Sequence, residues 1–326
     1  MDGQSSRLAN RHWFYILPVL MVLAQLHLWW LPTPDSTSYL SIARSLASDP
    51  LHPTNLGSPH LYYQVGYPLL IAPLFVLHHN PFLAISILHC LIAFAVLRLV
   101  YVWVDSSYGR HHAVIATVLV GVNGAFLYYT RMALSELPSI AWTLLAVVCF
   151  NKTLRSSSSG SRYGIPLIFT ALAFAAACVT RYANLCLAAG FAMACLLQLW
   201  KGRISLGKAM AVIAVAVLPA MACVSRVVIY DYAMSQTLST GTYFTSLDIT
   251  TPSFWFNIIE MGRLRISEIG RLSIPGMLHT FSPAGAWLNM NTMLFSLATA
   301  VTAGGWTRLA LKTGDPWILS FPVYFI

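Results

Sequence analysis

The chain has 326 residues, of which 57% are hydrophobic and only 9% are charged, and its mean hydropathy is +0.68. A soluble globular chain carries roughly 25% charged residues, so this composition excludes a pair of soluble domains and predicts an integral membrane protein. The 19 Lys and Arg residues outnumber the 10 Asp and Glu residues, but they occur in ones, twos and threes between apolar runs. This spacing is typical of charges that set membrane orientation, and it argues against nucleic acid as a partner.

Apolar runs near the 20 residues that a bilayer crossing needs predict an all-α, polytopic bundle of about eight to nine spanning helices. The first run lacks a small-residue cleavage pattern, which favours an uncleaved helix over a signal peptide. A last run, 317–326, stops after ten residues, about half a crossing, so we expect a fragment or a naturally short member of something longer. The predicted crossings are 13–31, 81–104, 112–130, 134–150, 163–180, 183–200, 208–230 and 287–311.

The apolar stretch Gly66–Leu77 is too short to cross, since 12 helical residues extend about 18 Å against roughly 30 Å of hydrocarbon. It also contains Pro68 and Pro73, so we predict a juxtamembrane or re-entrant segment. With this assignment, 12 of the 19 Lys and Arg residues lie on the inner side with the N-terminus. Counting the stretch as a crossing would turn the basic loops 152–162 and 201–208 outward, against the positive-inside rule.

The resulting map has three regions. Residues 1–230 form a transmembrane module whose first outer loop, 32–80, contains juxtamembrane helices. Residues 231–286 form a second long outer loop with amphipathic segments, and 287–326 form C-terminal transmembrane helices.

Charged residues near membrane depth are costly, so each is a candidate for function. Asp35 lies immediately outside the first predicted helix and precedes a segment with Tyr39 and Leu40 on one face. It is interpreted as a helix N-cap, as a catalytic carboxylate, or as both, because these roles are compatible.

Two further outer turns carry charges. In 128–138, Arg131 and Glu136 lie in a tight hairpin between two apolar runs. In one interpretation, Ser135 caps the next helix and Glu136 complements its dipole; in another, Arg131 and Glu136 form an ion pair. Arg181 follows the helix 163–180 and either snorkels to lipid headgroups or contacts an anion. The map brings these charges to the same membrane face as Asp35, where carboxylates and cations suit a phosphate-bearing lipid.

The order of four motifs resembles the GT-C superfamily of membrane glycosyltransferases, in particular the branch with protein O-mannosyltransferases and the lipid A aminoarabinose transferase. The resemblance covers roughly residues 10–230. Many relatives have Asp-Glu in the first motif, where this chain has Asp35-Ser36. Some also carry a soluble C-terminal domain, which we do not expect here. The motifs are Pro-Asp-Ser-Thr-Ser-Tyr-Leu-Ser-Ile-Ala at 34–43, Gly-Tyr-Pro-Leu-Leu-Ile-Ala-Pro-Leu at 66–74, Thr-Arg-Met-Ala-Leu-Ser-Glu at 130–136 and Thr-Arg-Tyr-Ala at 180–183.

The resemblance implies an inverting transferase that uses a sugar on a polyprenyl phosphate, in a bacterial inner membrane, with its active site facing the periplasm. Asp35 would be the catalytic carboxylate. Donor phosphate and acceptor would contact four residues, and a divalent metal ion is the cofactor to consider, with Asp35, Glu136 and His60 as candidate ligands. The four contacts are Glu136, Arg131, Arg181 and Tyr39.

The residue types fit this chemistry independently, because displacement at an anomeric carbon needs a carboxylate base and cations for the departing phosphate. We therefore predict a membrane glycosyltransferase with a lipid, glycan or protein acceptor. The alternatives are a transporter or flippase of lipid-linked saccharide and a non-catalytic membrane subunit. A transporter would be expected to carry ionisable groups near the middle of its helices, whereas here they gather at helix ends.

Overall fold

The computed structural model describes residues 13–59, 63–158 and 164–238, together with 304–309, 312, 314–316 and 318. These residues are mostly helical, which confirms the all-α class, and they include one small antiparallel pair, β1 (Thr54–Asn55) with β2 (Ser58–Pro59). The α-helices in chain order are α1 (Ile16–Leu23), α2 (Pro34–Ser48), α3 (Gly66–Leu77), α4 (Phe82–Tyr108), α5 (Arg110–Gly121), α6 (Gly124–Arg131), α7 (Glu136–Ser158), α8 (Gly164–Thr180), α9 (Cys186–Trp200) and α10 (Leu206–Leu238).

Several of these helices are long and apolar enough to cross a membrane, which supports an integral membrane protein. Within the described residues four helical segments qualify, and a fifth if the bent pair α5 and α6 forms one crossing. The predicted eight to nine crossings are not reached there. The helix in the run 13–31 ends early, the helix Gly164–Thr180 has only 17 residues, and only 304–309 of 287–311 are described. The four segments are Phe82–Tyr108, Glu136–Ser156, Tyr182–Trp200 and Leu206–Ser225.

The first helix ends at Leu23 rather than at residue 31. Gln25 turns its side-chain amide back to donate to the Met21 carbonyl at 3.1 Å. The backbone N–H of His27 donates to Ser86 Oγ on α4 at 3.2 Å. Side-chain and tertiary hydrogen bonds thus replace the helical ladder before the apolar run is complete.

The predicted crossing 112–130 is broken into α5 and α6, whose axes differ by 56°. Asn123 lies at the break and caps α6, because its Oδ1 accepts the Phe126 N–H at 3.1 Å. Just before the break, Gly121 packs closely on α1, and a Cβ there would lie 2.5 Å from Pro18 Cβ. The break was not predicted because the sequence is apolar on both sides of it.

The short stretch Gly66–Leu77 forms α3 over those same residues, as a 12-residue helix. It packs beside α2, and their shared core includes the buried side chains of Ile42, Tyr67 and Ile71. Its position relative to the bilayer stays a prediction, while its length as a helix agrees with a segment too short to cross.

The described residues divide into two compact units. The first contains those within Met1–Asn184 and Ala214–Thr242, and the second those within Leu185–Ile213 and Tyr243–Ile326. All predicted site residues that are described lie in the first unit.

Candidate functional site

The helix that carries Asp35 is capped by Thr33. Thr33 Oγ1 accepts the Ser36 backbone N–H at 3.1 Å, and Ser36 Oγ accepts the Thr33 backbone N–H at 2.8 Å, a reciprocal capping box. Pro34 fits the first helical position because its fixed φ suits a helix and its missing N–H is not needed there. The cap therefore falls before Pro34, and the predicted N-cap role of Asp35 is wrong.

Asp35 instead lies exposed in the first turn of α2. Its Oδ1 accepts a hydrogen bond from the Tyr63 hydroxyl at 3.3 Å. Among the described residues its Oδ2 has no hydrogen-bond partner. One carboxylate oxygen is thus oriented by a phenol, and the other is available to a ligand.

Tyr39, one turn further along α2, is only 5% exposed and links three parts of the site. Its ring meets the rings of Tyr63 and Tyr67 edge-on, with centroids 5.4 Å apart in each pair. Its hydroxyl shares a hydrogen bond of 3.1 Å with Ser135 Oγ, immediately before α7. Burial raises the pKa of Tyr39 above its ordinary value, so the phenol stays neutral at physiological pH.

An ion pair joins the start of α7 to the end of α8. Glu136 is the first residue of α7, Arg181 follows the last residue of α8, and Glu136 Oε1 pairs with Arg181 Nη1. The side chains are 23% and 36% exposed, so the pair is half-buried. Glu136 Oε2 is buried and has no hydrogen-bond partner within the described residues.

Arg131 does not join this pair, so the Arg131–Glu136 interpretation is wrong. Helix α6 ends at Arg131, and residues 132–135, beginning with the extended Met132, separate it from α7. Glu136 pairs instead with Arg181, which follows α8. Arg131 is exposed and lines a separate cleft with His27 and Trp30.

Close packing brings α3 against the end of α8. Gly66 lies so near Thr180 that a Cβ at position 66 would be 2.6 Å from the Thr180 backbone nitrogen. The next residue, Tyr67, is fully buried and its hydroxyl bonds His89 Nε2 on α4 at 2.9 Å. His89 is thus a hydrogen-bonded packing residue.

The structure therefore gathers three of the predicted residues around the phenol of a fourth, Tyr39. Asp35, Glu136 and Arg181 all act electrostatically on Tyr39. Arg131 lies apart, and His60 falls outside the described residues. The contacts of Tyr63 and Ser135 with this cluster were not predicted, because they depend on how distant helices pack.

The other carboxylate of the first outer loop belongs to a different local structure. Asp49 is the C-cap residue of the 15-residue helix α2, about 20 Å along it from Asp35. Its Oδ2 bonds His52 Nδ1 at 3.1 Å, and its Oδ1 accepts the Leu51 N–H at 3.0 Å. These bonds, the His52 side chain first, lower the pKa of Asp49.

The described residues do not fit the divalent metal ion that the resemblance allows. They contain no group of three His, Cys, Asp or Glu side chains that could hold one. Glu136, a candidate ligand, already pairs with the Arg181 guanidinium, whose charge would repel a cation.

Comparison with known proteins gave no match: no protein-family model, curated protein or solved structure is similar to this chain.

Proposed function

We propose that this chain is an integral-membrane glycosyltransferase of the GT-C type. It moves a sugar from a polyprenyl-phosphate donor to the hydroxyl of a lipid, glycan or protein acceptor. The observation that carries the proposal is the convergence of an exposed carboxylate, Asp35, with the Glu136–Arg181 ion pair around the buried phenol of Tyr39.

Asp35 is the general base of this proposal. The acceptor oxygen attacks the anomeric carbon while its proton passes to the free Oδ2 of Asp35, and Tyr63 holds the other carboxylate oxygen in place. The bond from the anomeric carbon to the phosphate oxygen breaks, and its electron pair leaves with the lipid phosphate. Attack opposite the leaving group inverts the anomeric configuration.

Arg181 stabilises the charge that develops on the departing phosphate. A guanidinium has five N–H donors, so one arginine can contact more than one acceptor at a time. Glu136 is a positioning residue in this scheme, because it holds Arg181 through Oε1. Tyr39 fixes the spacing between the two charged groups by tying α2 to Ser135.

The membrane arrangement belongs to the same proposal. The full chain crosses a bacterial inner membrane eight to nine times, with its N-terminus in the cytoplasm and Asp35 facing the periplasm. Orientation is tested with an impermeant maleimide on intact cells, in a chain whose exposed Cys223 is replaced by Ala. Leu56→Cys should label and Arg203→Cys should not, since both positions are exposed and belong to opposite predicted sides. Equal labelling would overturn this orientation.

The decisive experiment compares two carboxylates of the same loop. Cells that contain the wild type, Asp35→Asn or Asp49→Asn are analysed by mass spectrometry of their lipid-linked sugars, beside cells without the protein. A donor lipid should be consumed by the wild type and by Asp49→Asn and should accumulate with Asp35→Asn. Full consumption with Asn at position 35 would contradict the proposed base.

The same measurement separates transfer from transport. A flippase moves the lipid-linked sugar without changing its covalent structure, so the total amount of the donor would be unaffected by any variant. A non-catalytic subunit would give no difference between wild-type cells and cells without the protein.

A further inference from the structure

A buried polar cluster connects α7 to the chain segment that carries Arg181. Ser139 lies three residues after Glu136 on α7. Asn184 lies three residues after Arg181, in a 3₁₀ turn over Tyr182–Leu185. Three residues are about one helical turn, so the cluster adjoins the Glu136–Arg181 ion pair. Its side chains are those of Ser139, Thr143 and Asn184, which are 5%, 2% and 6% exposed.

The Asn184 amide uses all its donors within this cluster. Its Nδ2 donates to Ser139 Oγ and to the Ala177 carbonyl, both at 2.8 Å. Its Oδ1 accepts the Thr143 hydroxyl at 3.2 Å. An amide nitrogen has two N–H donors, so none is left for a substrate. Asn184 therefore acts through the residues that it holds.

The same residue fixes the backbone at Arg181. The Arg181 N–H donates to the Ala177 carbonyl at 2.9 Å, and the Asn184 N–H donates to the Arg181 carbonyl at 3.1 Å. The Ala177 carbonyl thus accepts from both the Arg181 backbone and the Asn184 amide. Because that amide also bonds Ser139, the position of the Arg181 backbone relative to α7 depends on Asn184.

Arg181 is held on α7 at two points. Its guanidinium pairs with Glu136, and its backbone is tied through Asn184 to Ser139, one turn further along α7. A half-exposed ion pair alone orients a long side chain weakly, because solvent screens the charges and the side chain has many rotamers. The backbone attachment matters for the reaction, since a misplacement of about 1 Å can lower a rate about a hundredfold.

We propose that Asn184 is a positioning residue for Arg181. It holds the turn after α8 on α7, so that the guanidinium stays where both Glu136 and the departing phosphate can reach it. The phosphate contact rests on the proposed transferase function, whereas the link between Asn184 and the ion pair does not depend on it.

The test of this link is a double-mutant cycle on the ion pair. Glu136→Gln, Arg181→Gln and the double variant are heated in detergent, and a fluorogenic maleimide reports when the buried cysteines become exposed. The non-additive part of the midpoint shifts measures the coupling between the two side chains. Repeating the cycle with Asn184→Leu, which removes the amide but keeps a similar side-chain shape, should reduce that coupling by about half or more.

A merely structural role of Asn184 would give a different result. It would lower every midpoint but leave the coupling unchanged, and that outcome would overturn the proposal, as would the absence of coupling in the wild type. Thr170→Val is the matched control, because it removes a fully buried hydroxyl of α8 that bonds only the Pro166 carbonyl of its own helix. It should leave the coupling unchanged.

Ser139→Ala provides a second variant in case Asn184→Leu does not fold. It removes the α7 acceptor of the Asn184 amide and leaves the turn itself intact. The coupling should fall here as well, and an unchanged coupling would contradict the proposal in the same way.

Sugar transfer is measured separately, at a temperature at which each variant is folded. The initial rate of donor-lipid consumption should fall tenfold or more with Asn184→Leu and remain unchanged with Thr170→Val. A wild-type rate with Asn184→Leu would refute its positioning role. Loss of coupling in a chain whose wild type consumes no lipid-linked sugar would support the link to the ion pair and contradict only the transferase function.

Discussion

Replacing Gly66 with Ala tests how α3 is seated against the end of α8. The added Cβ would lie 2.6 Å from the Thr180 nitrogen, 2.7 Å from its Cα and 2.8 Å from its Oγ1. The shortest of these distances is roughly 0.9 Å below an optimal separation of about 3.5 Å between non-bonded heavy atoms. Two of the three atoms are backbone, so a rotamer change cannot remove the clash, and α3 must shift. Overpacking of this kind costs about 1–3 kcal/mol of unfolding free energy.

The assay uses the cysteines of the chain itself. Cys90, Cys178 and Cys195 are buried, so a fluorogenic maleimide reports their exposure as the protein unfolds on heating in detergent. Gly66→Ala should lower the unfolding midpoint, and it should also reduce sugar transfer, because Tyr67 in the next position contacts Tyr39.

Gly124→Ala is the matched control for this prediction. Gly124 begins α6, and the Cβ it would gain meets no atom within 4 Å beyond its chain neighbours and the nearby backbone of its own helix. Alanine there should keep or slightly raise the midpoint, since it is the better helix former. If both alanine variants unfold at the wild-type midpoint, the close contact between positions 66 and 180 is not present.

Two further predictions concern buried and exposed polar groups. Asn184→Leu should destabilise the chain by about 1–3 kcal/mol, because its amide donates to Ser139 Oγ and the Ala177 carbonyl, both at 2.8 Å; an unchanged midpoint would contradict this. The pKa of Asp49 is lowered in the folded chain, so its contribution to stability is present above 3.8 and is lost as the pH falls below that value. The difference in midpoint between wild type and Asp49→Asn should therefore be constant from about pH 5 to 7 and shrink from about pH 4 to 2. A difference that grows on acidification would show that the bonds of Asp49 do not stabilise the fold.

Local features were the most predictable part of this fold. The bounds of α3 were predicted from the apolar stretch itself, and its length of 12 residues already shows that it is shorter than a membrane-spanning helix. The sequence predicts the cap of α2 at Asp35, two residues after the observed cap at Thr33, because Asp is itself a favourable cap; Pro34 at the first helical position is the local feature that favours the earlier start. The break at Asn123 was not predicted, because one polar residue between two apolar helices hardly changes the hydropathy of the run.

The candidate site was predictable only in part. Counting the predicted crossings along the chain predicts that Asp35, Glu136 and Arg181 lie on the same membrane face. The ion-pair partner of Glu136 could not be predicted from the same pattern. Glu136 pairs with Arg181, 45 positions away, and not with Arg131, five positions away. Such pairing depends on the packing of α7 against α8, which no local pattern encodes.

The Thr33–Ser36 capping box has a consequence for how such a protein can change over time. The start of α2 is capped by Thr33 and Ser36, so the capping hydrogen bonds do not depend on the side chain at position 35. Mutations at that position can alter reactivity without first having to be compensated elsewhere in the fold. Over evolution, position 35 can therefore change its chemical group while the capping hydrogen bonds of α2 stay the same.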